Sequence, residues 1–267
     1  MTAAPGARAS STLTAALDER GCAIGTWVQM NSPETGELAA AAGFDVVVVD
    51  MEHGALDLPA VAGMVRAVQG RGADAVVRVP AVEATTIGRV LDTGARGVLV
   101  PGVRSADDAR RVAAATRFPP AGNRGACPYV PSLDHGLLAW DEAPAPHVWL
   151  LIEHPDAVAE IEILAREAAG AGVTALVMGP FDLAVAMGHS GDHAHPDVRA
   201  ALDRVLAAAA GEGLDCVAVT LESDADASAE PVARWRAAGC RIATALLDRH
   251  TLAGAYRHTL EVIAAGR

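Results

Sequence analysis

Val46-Val47-Val48-Val49-Asp50-Met51-Glu52-His53-Gly54 is the stretch that decides the fold. Four consecutive β-branched residues with no polar alternation describe a strand buried on both faces, as in parallel sheets covered by helices. The run then ends abruptly in charge. Seven more short apolar runs recur on either side of it: Ala23–Val28, Ala75–Val79, Gly97–Pro101, Val148–Glu153, Ala175–Met178, Cys216–Thr220 and Arg241–Leu246. Between them lie alanine-rich stretches with apolar residues three and four apart, such as Leu58–Val68, Ala106–Thr116 and Val198–Ala210. Ser32-Pro33, Asp57, Ser105 and His195-Pro196 supply helix-start signals, and Gly43, Gly94 and Gly239 follow helical stretches. Eight strand–helix units predict a single (β/α)8 barrel over 1–267. An open doubly wound sheet shares the alternation, but no Gly-rich dinucleotide turn is present. An extra N-terminal helix around Thr12–Arg20 is expected to cap the bottom of the barrel.

Length and composition fit that reading. The chain has 267 residues, 51% hydrophobic and 20% charged, with a net charge of −12, so a basic nucleic-acid-binding face is not expected. All 21 basic residues are arginine. Without lysine there is no Schiff-base catalysis, no lysine-anchored pyridoxal phosphate and no P-loop lysine. Cys22, Cys127, Cys216 and Cys240 form no C-x-x-C pair. Three of the four lie in apolar runs and read as buried thiols of a reducing compartment. Met1–Ser11 reads as a flexible lead-in without an apolar signal core, and no membrane-length run exists. The cytoplasm is the expected location. Residues 121–147, with four prolines and no period, read as a long active-site loop; a solvated excursion is the alternative.

In a barrel the site lies where strands end. Glu153 and Asp182 close adjacent runs and suit a hard divalent cation, Mg²⁺ or Mn²⁺. Alternatively each caps the helix that follows. Asp50 and His53 sit on one turn, where a carboxylate could set the imidazole tautomer for a general base; a solvated histidine is the plainer reading. Glu52, between them, could pair with an arginine. Arg78, inside an apolar strand, needs an anionic partner. It could stabilise an oxyanion or carboxylate, or form a structural ion pair with Asp50 or Glu52. Gly179-Pro180 before Phe181-Asp182 makes a tight helix start whose amides could hold an anion. His189, His193 and His195 look like a metal cluster, but they lie in a Gly/Asp-rich loop and read as solvated.

Taken in order, these landmarks resemble the HpcH/HpaI family of metal-dependent (class II) pyruvate aldolases. The resemblance runs from Gly25-Thr26-Trp27 through Val49–His53, Val77–Pro80, Leu91–Ala95, Arg117–Gly125 and Glu153 to Met178–Leu183. It implies a barrel of the phosphoenolpyruvate/pyruvate-domain type, usually hexameric. Glu153 and Asp182 would bind Mg²⁺, Mn²⁺ or Co²⁺, and a 2-oxo acid would chelate the ion. Arg78 would steady the enolate oxygen, and amides near Phe181 and Asp182 the carboxylate. His53, paired with Asp50, would relay a proton through a metal-bound water. The implied reaction joins pyruvate to an aldehyde, or reverses that, through 4-hydroxy-2-oxo acids. Three departures stand out: Leu151 replaces a frequent glutamine, Ala126–Pro131 replaces small and basic residues, and Ala245–Asp248 lacks a usual glycine. They leave room for a CoA-ester lyase, a decarboxylase, another enolate-using synthase, or a silent metabolite-binding barrel.

Overall fold

A computed structural model describes residues 11–139, 142–220, 222 and 224–266. The chain opens with α1 (Thr12–Arg20), β1 (Ala23–Val28), α2 (Pro33–Ala41), β2 (Val46–Asp50), α3 (Leu58–Gly70) and β3 (Asp74–Arg78). It continues with α4 (Ala84–Asp92), β4 (Gly97–Val100), α5 (Ala106–Thr116), a 3₁₀ turn (Pro131–Gly136) and β5 (His147–Ile152). Then come α6 (Pro155–Ala159), α7 (Ile161–Ala171), β6 (Ala175–Met178), α8 (Pro180–Ala186) and α9 (Pro196–Gly211). The last elements are β7 (Asp215–Val219), α10 (Ala225–Ala237), β8 (Ile242–Leu247) and α11 (Asp248–Ala265). The eight strands pair in parallel, in chain order, into a closed barrel. The expected strands are all present, with boundaries moved by a residue or so.

Strand parity explains the barrel's contents. Side chains alternate faces along a strand. Val46 and Val48 point into the lumen with Trp27, Val76, Leu99, Trp149, Leu151 and Val177. Val47, Val49 and Val77 face outward, against the helices. Both faces are therefore apolar, so the valine run of β2 does not alternate. The same parity puts Asp50, Arg78 and Glu153 on the lumen side at the upper rim. Helix starts follow the expected signals. Asp57 accepts from the Ala60 amide at 2.9 Å and Ser105 from that of Asp108 at 3.2 Å.

Helix α1 plugs the bottom, as expected. Its Leu13 and Ala16 enter the lumen cluster, and the Leu13 amide donates to Asp74 at 2.9 Å. Residues 1–10 of the expected flexible lead-in lie outside the described residues. Ser11 is fixed: it caps α1 and its hydroxyl contacts Asp74 and, at 2.9 Å, His147. Of the thiols, Cys216 and Cys240 are buried, Cys22 is half-buried and Cys127 is exposed.

The 121–147 segment departs from expectation. It joins α5 to β5, so it emerges where strands begin, not where they end. Its described residues Ala121, Arg124, Ser132 and Ala143–Pro146 line a cavity at that lower end. Among the described residues, none of the segment lines the upper cleft of its own barrel.

Candidate active site

A cleft of about 380 Å³ opens at the carboxyl ends of the strands. Arg78, His53, Gly179, Pro180, Phe181 and Asp182 line it. Strand pairing builds its centre: Asp50 on β2 stands directly across from Arg78 on β3. The Arg78 Nε donates to Asp50 Oδ1 at 2.8 Å, and Nη2 to Oδ2 at 2.6 Å. Such a two-point grip fixes the guanidinium plane. Trp27 lies under it, 4.9 Å from Cζ to the ring centroid, and is itself held by a bond from its indole N–H to Thr244. Burial pushes the Asp50 carboxyl up, but the Arg78 bonds and charge outweigh it and hold the carboxyl below its ordinary value. Burial also works against the Arg78 charge, yet Asp50, Glu52 and Glu153 together raise it.

Asp50 is therefore not free to orient an imidazole. Its oxygens accept from Arg78, from Gln29 Nε2 at 2.7 Å and from the backbone amides of Glu52 and His53 at 2.9 and 3.3 Å. The expected Asp50–His53 pairing exists only through the backbone, because Asp50 is a lumen residue opposite Arg78 and His53 follows after the chain has turned outward. The His53 ring is 60% exposed and has Glu52 as its acidic neighbour, 3.9 Å from Nε2.

Glu52 takes the arginine partner that its position suggested. Its Oε2 lies 3.0 Å from Arg78 Nη1, but out of line, so this buried oxygen receives no hydrogen bond. Burial, then the charges of Asp50 and Asp182, push its carboxyl up despite Arg78 and His53. Glu153 follows Ile152, the last residue of β5. Its Oε1 accepts from the Gly102 amide at 2.8 Å. Burial, with Glu52 and Asp182 adding repulsion, pushes the Glu153 carboxyl up. Gly179 makes the close approach possible: a Cβ there would sit 2.8 Å from that of Glu153. Asp182 lies exposed in the first turn of α8. Neither carboxylate caps a helix, since His154 and Gly179 hold the N-cap positions.

Gln29, Thr220, Glu222 and His250 also line the cleft, with Leu151, Val219, Leu246 and Leu247 forming an apolar wall. Leu246 adopts φ +68°. The loop histidines are elsewhere. His193 is exposed as expected, but His189 and His195 are half-buried and stack at 3.6 Å, with Asp197 3.5 and 3.7 Å from their nitrogens. One ligand atom from each of His189, His195 and Asp197 lies within 4.8 Å of the others, and the Asp197 amide donates to His195 Nδ1 at 3.2 Å, capping α9.

A family model described as HpcH/HpaI aldolase/citrate lyase matches residues 23–246. The chain belongs to the HpcH/HpaI family. It is 35% identical over 208 residues, 76% of this chain and 80% of the relative, to a hydroxypyruvate/pyruvate aldolase of Paraburkholderia phytofirmans. It is 33% identical over 218 residues, 79% and 83% of the two chains, to a 5-keto-4-deoxy-D-glucarate aldolase of Salmonella paratyphi C. The crystal structure of an HpcH/HpaI aldolase/citrate lyase family protein from Burkholderia cenocepacia superposes with a TM-score of 0.85 at 33% identity, covering 96% of this chain and 100% of that one. The protein is thus an enzyme of the aldolase type, a carbon–carbon lyase acting on small molecules. Among the described residues, no helix is long and apolar enough to cross a membrane.

Proposed function

We propose that the enzyme makes and breaks 4-hydroxy-2-oxo acids through a pyruvate enolate, with a divalent cation held by Glu153 and Asp182. The observation that carries this reading is the charge imbalance around Arg78. Asp50 already neutralises that guanidinium, yet Glu52 and Glu153 also act on it and Asp182 lines the cleft beside it, and burial pushes the carboxyls of Glu52 and Glu153 up. A site with surplus carboxylates and a buried oxygen lacking a donor fits Mg²⁺, Mn²⁺ or Co²⁺. When bound, such an ion polarises the 2-oxo group and serves as the electron sink that a lysine iminium supplies elsewhere.

The chain's own residues do the rest. His53, exposed at the cleft wall, takes the proton of the C4 hydroxyl. The C3–C4 bond breaks, an aldehyde leaves, and the electron pair moves into the C2 carbonyl as an enolate. Arg78, immobilised by Asp50 and Trp27, stabilises the charge growing on that oxygen; fixed donors of this kind contribute most where charge develops. The amides of Phe181 and Asp182, at the start of α8, hold the carboxylate. Proton return to C3 gives pyruvate. The apolar wall of Leu151, Val219, Leu246 and Leu247 suits an aldehyde with an uncharged body. Arg78 is the only basic lining residue besides histidine among those described, which disfavours an acyl-CoA. Incubation with pyruvate in D₂O tests the reading by NMR. Methyl exchange that needs Mg²⁺ or Mn²⁺ and His53 supports it; metal-independent exchange refutes it.

We further infer a homo-oligomer, with the family's hexamer as the reference. Helix α11 has no buried residue and presents Tyr256, Leu260, Val262 and Ile263 to solvent. Light scattering should give a multiple of the 27.2 kDa chain. Free thiols throughout fit a cytoplasmic enzyme.

A further inference from the structure

The lower end of the barrel holds a second cavity, of about 240 Å³. It lies between the entries to β4 and β5 and the ends of α5 and α7. Three guanidinium groups line it: Arg96, Arg117 and Arg124. Among the described residues no acidic side chain does, in a chain whose net charge is −12. The hydroxyl of Ser132 adds a polar group, and Phe118, Val148 and Pro144–Pro146 supply apolar walls.

Two of the three cations have outside partners. Arg96 Nε lies 3.6 Å from Asp74, and Arg124 Nη2 donates to Asp92 at 2.6 Å. Among the described residues Arg117 has no ion-pair partner. It crosses so close to Gly172 that any side chain there would collide with its guanidinium. Arg124 is 8% exposed, its guanidinium 4.5 Å over the Phe118 ring, and its buried Nε–H finds no acceptor. A buried, unmet donor on a charged group is costly unless a ligand or water answers it. Among the described residues no carboxylate meets the Arg117 charge, which an anion in the cavity would balance. Apolar walls around that charge favour an organic anion over an inorganic one.

We propose that this cavity binds a small organic monocarboxylate, with its carboxylate on Arg117 and the Arg124 Nε–H and its apolar body against Phe118 and Val148. The test is calorimetric titration of butyrate, with inorganic phosphate and chloride as comparison ions, into the full chain freed of metal by chelation. Saturable butyrate binding is expected, at least tenfold weaker in Arg117→Gln, partly restored in Arg117→Lys and retained in Asp182→Asn. Among the described residues Arg117 has no ion-pair partner to orphan, so these variants should fold, as circular dichroism checks. Three results would each overturn the proposal: no saturable butyrate binding, equal binding by Arg117→Gln, or binding that Asp182→Asn abolishes. Phosphate binding without butyrate binding would also overturn it.

Discussion

At the end of the barrel where strands finish, Asp50, Glu52, Glu153 and Asp182 gather around one guanidinium. At the end where strands begin, Arg96 faces Asp74, Arg124 pairs with Asp92, and Arg117 has no ion-pair partner among the described residues. Among the described residues, carboxylates prevail at the first end, and at the second Arg117 stands without one. Between them lies a lumen packed with Val46, Val48, Val76, Leu99 and Trp149, a dry column that keeps the two from cancelling. Strand β5 touches both: Val148 lines the lower cavity, and Glu153 stands just past its upper end, about 17 Å away at the usual strand rise. The contrast teaches that imbalance on one rim need not be a flaw of the fold. Under the two proposals above, each end takes a ligand of the opposite sign.

The largest expected effect comes from removing the upper imbalance. Glu153→Gln and Asp182→Asn should each lower metal-dependent aldol turnover by roughly the 10²–10³ or more seen when a key electrostatic group is lost, with an unchanged circular dichroism spectrum. Full turnover in either variant with chelator present would remove the metal site. Arg78→Gln should cost a similar factor in kcat. It should also destabilise the fold by about 3–5 kcal/mol in denaturant titrations, because Asp50 would be left buried without its partner. His53→Gln should suppress methyl exchange while leaving the melting temperature in place, since its ring is mostly exposed.

A subtler effect concerns pH. The Glu153 carboxyl is raised from 4.5 by burial and by its acidic neighbours, so the folded protein holds that proton more tightly than the unfolded chain. Its contribution is harmless below 4.5 and turns destabilising as pH rises through the raised value. In chelator, Glu153→Gln should therefore match the parent near pH 4 and melt at a higher temperature at pH 8; added Mn²⁺ should reverse the order. Equal melting curves at both pH values would show that the upper charges do not repel. The smallest effect belongs to the lower end: Arg117→Gln should leave aldol kcat and KM unchanged without added carboxylate, as steady-state assays can check.

Much of the upper rim was legible before any coordinates. Unbroken valine runs named the strands, and charges closing them named Asp50, Arg78, Glu153 and Asp182. What stayed hidden depended on register. Only the pairing of β2 with β3 shows that Asp50 grips Arg78 rather than His53, and only the turn after β2 brings Glu52 back over the guanidinium. The length and prolines of the 121–147 segment say loop, while its position after α5 says which end of its own barrel it leaves from. The lower cavity could not be read from sequence, since Arg117 and Arg124 of the Arg117–Gly125 landmark meet Arg96 only when the segment after α5 folds back beside the entry to β4.

Leu246 gives the cleft wall an unexpected property. A leucine at φ +68° is held where only glycine is comfortable, at roughly 1–2 kcal/mol. Under the proposed reaction, heat tolerance and grip on the aldehyde are thereby set against each other at a single codon. Laboratory evolution toward hardier variants would be drawn to glycine here, and the hardier enzymes should prove less selective among aldehydes.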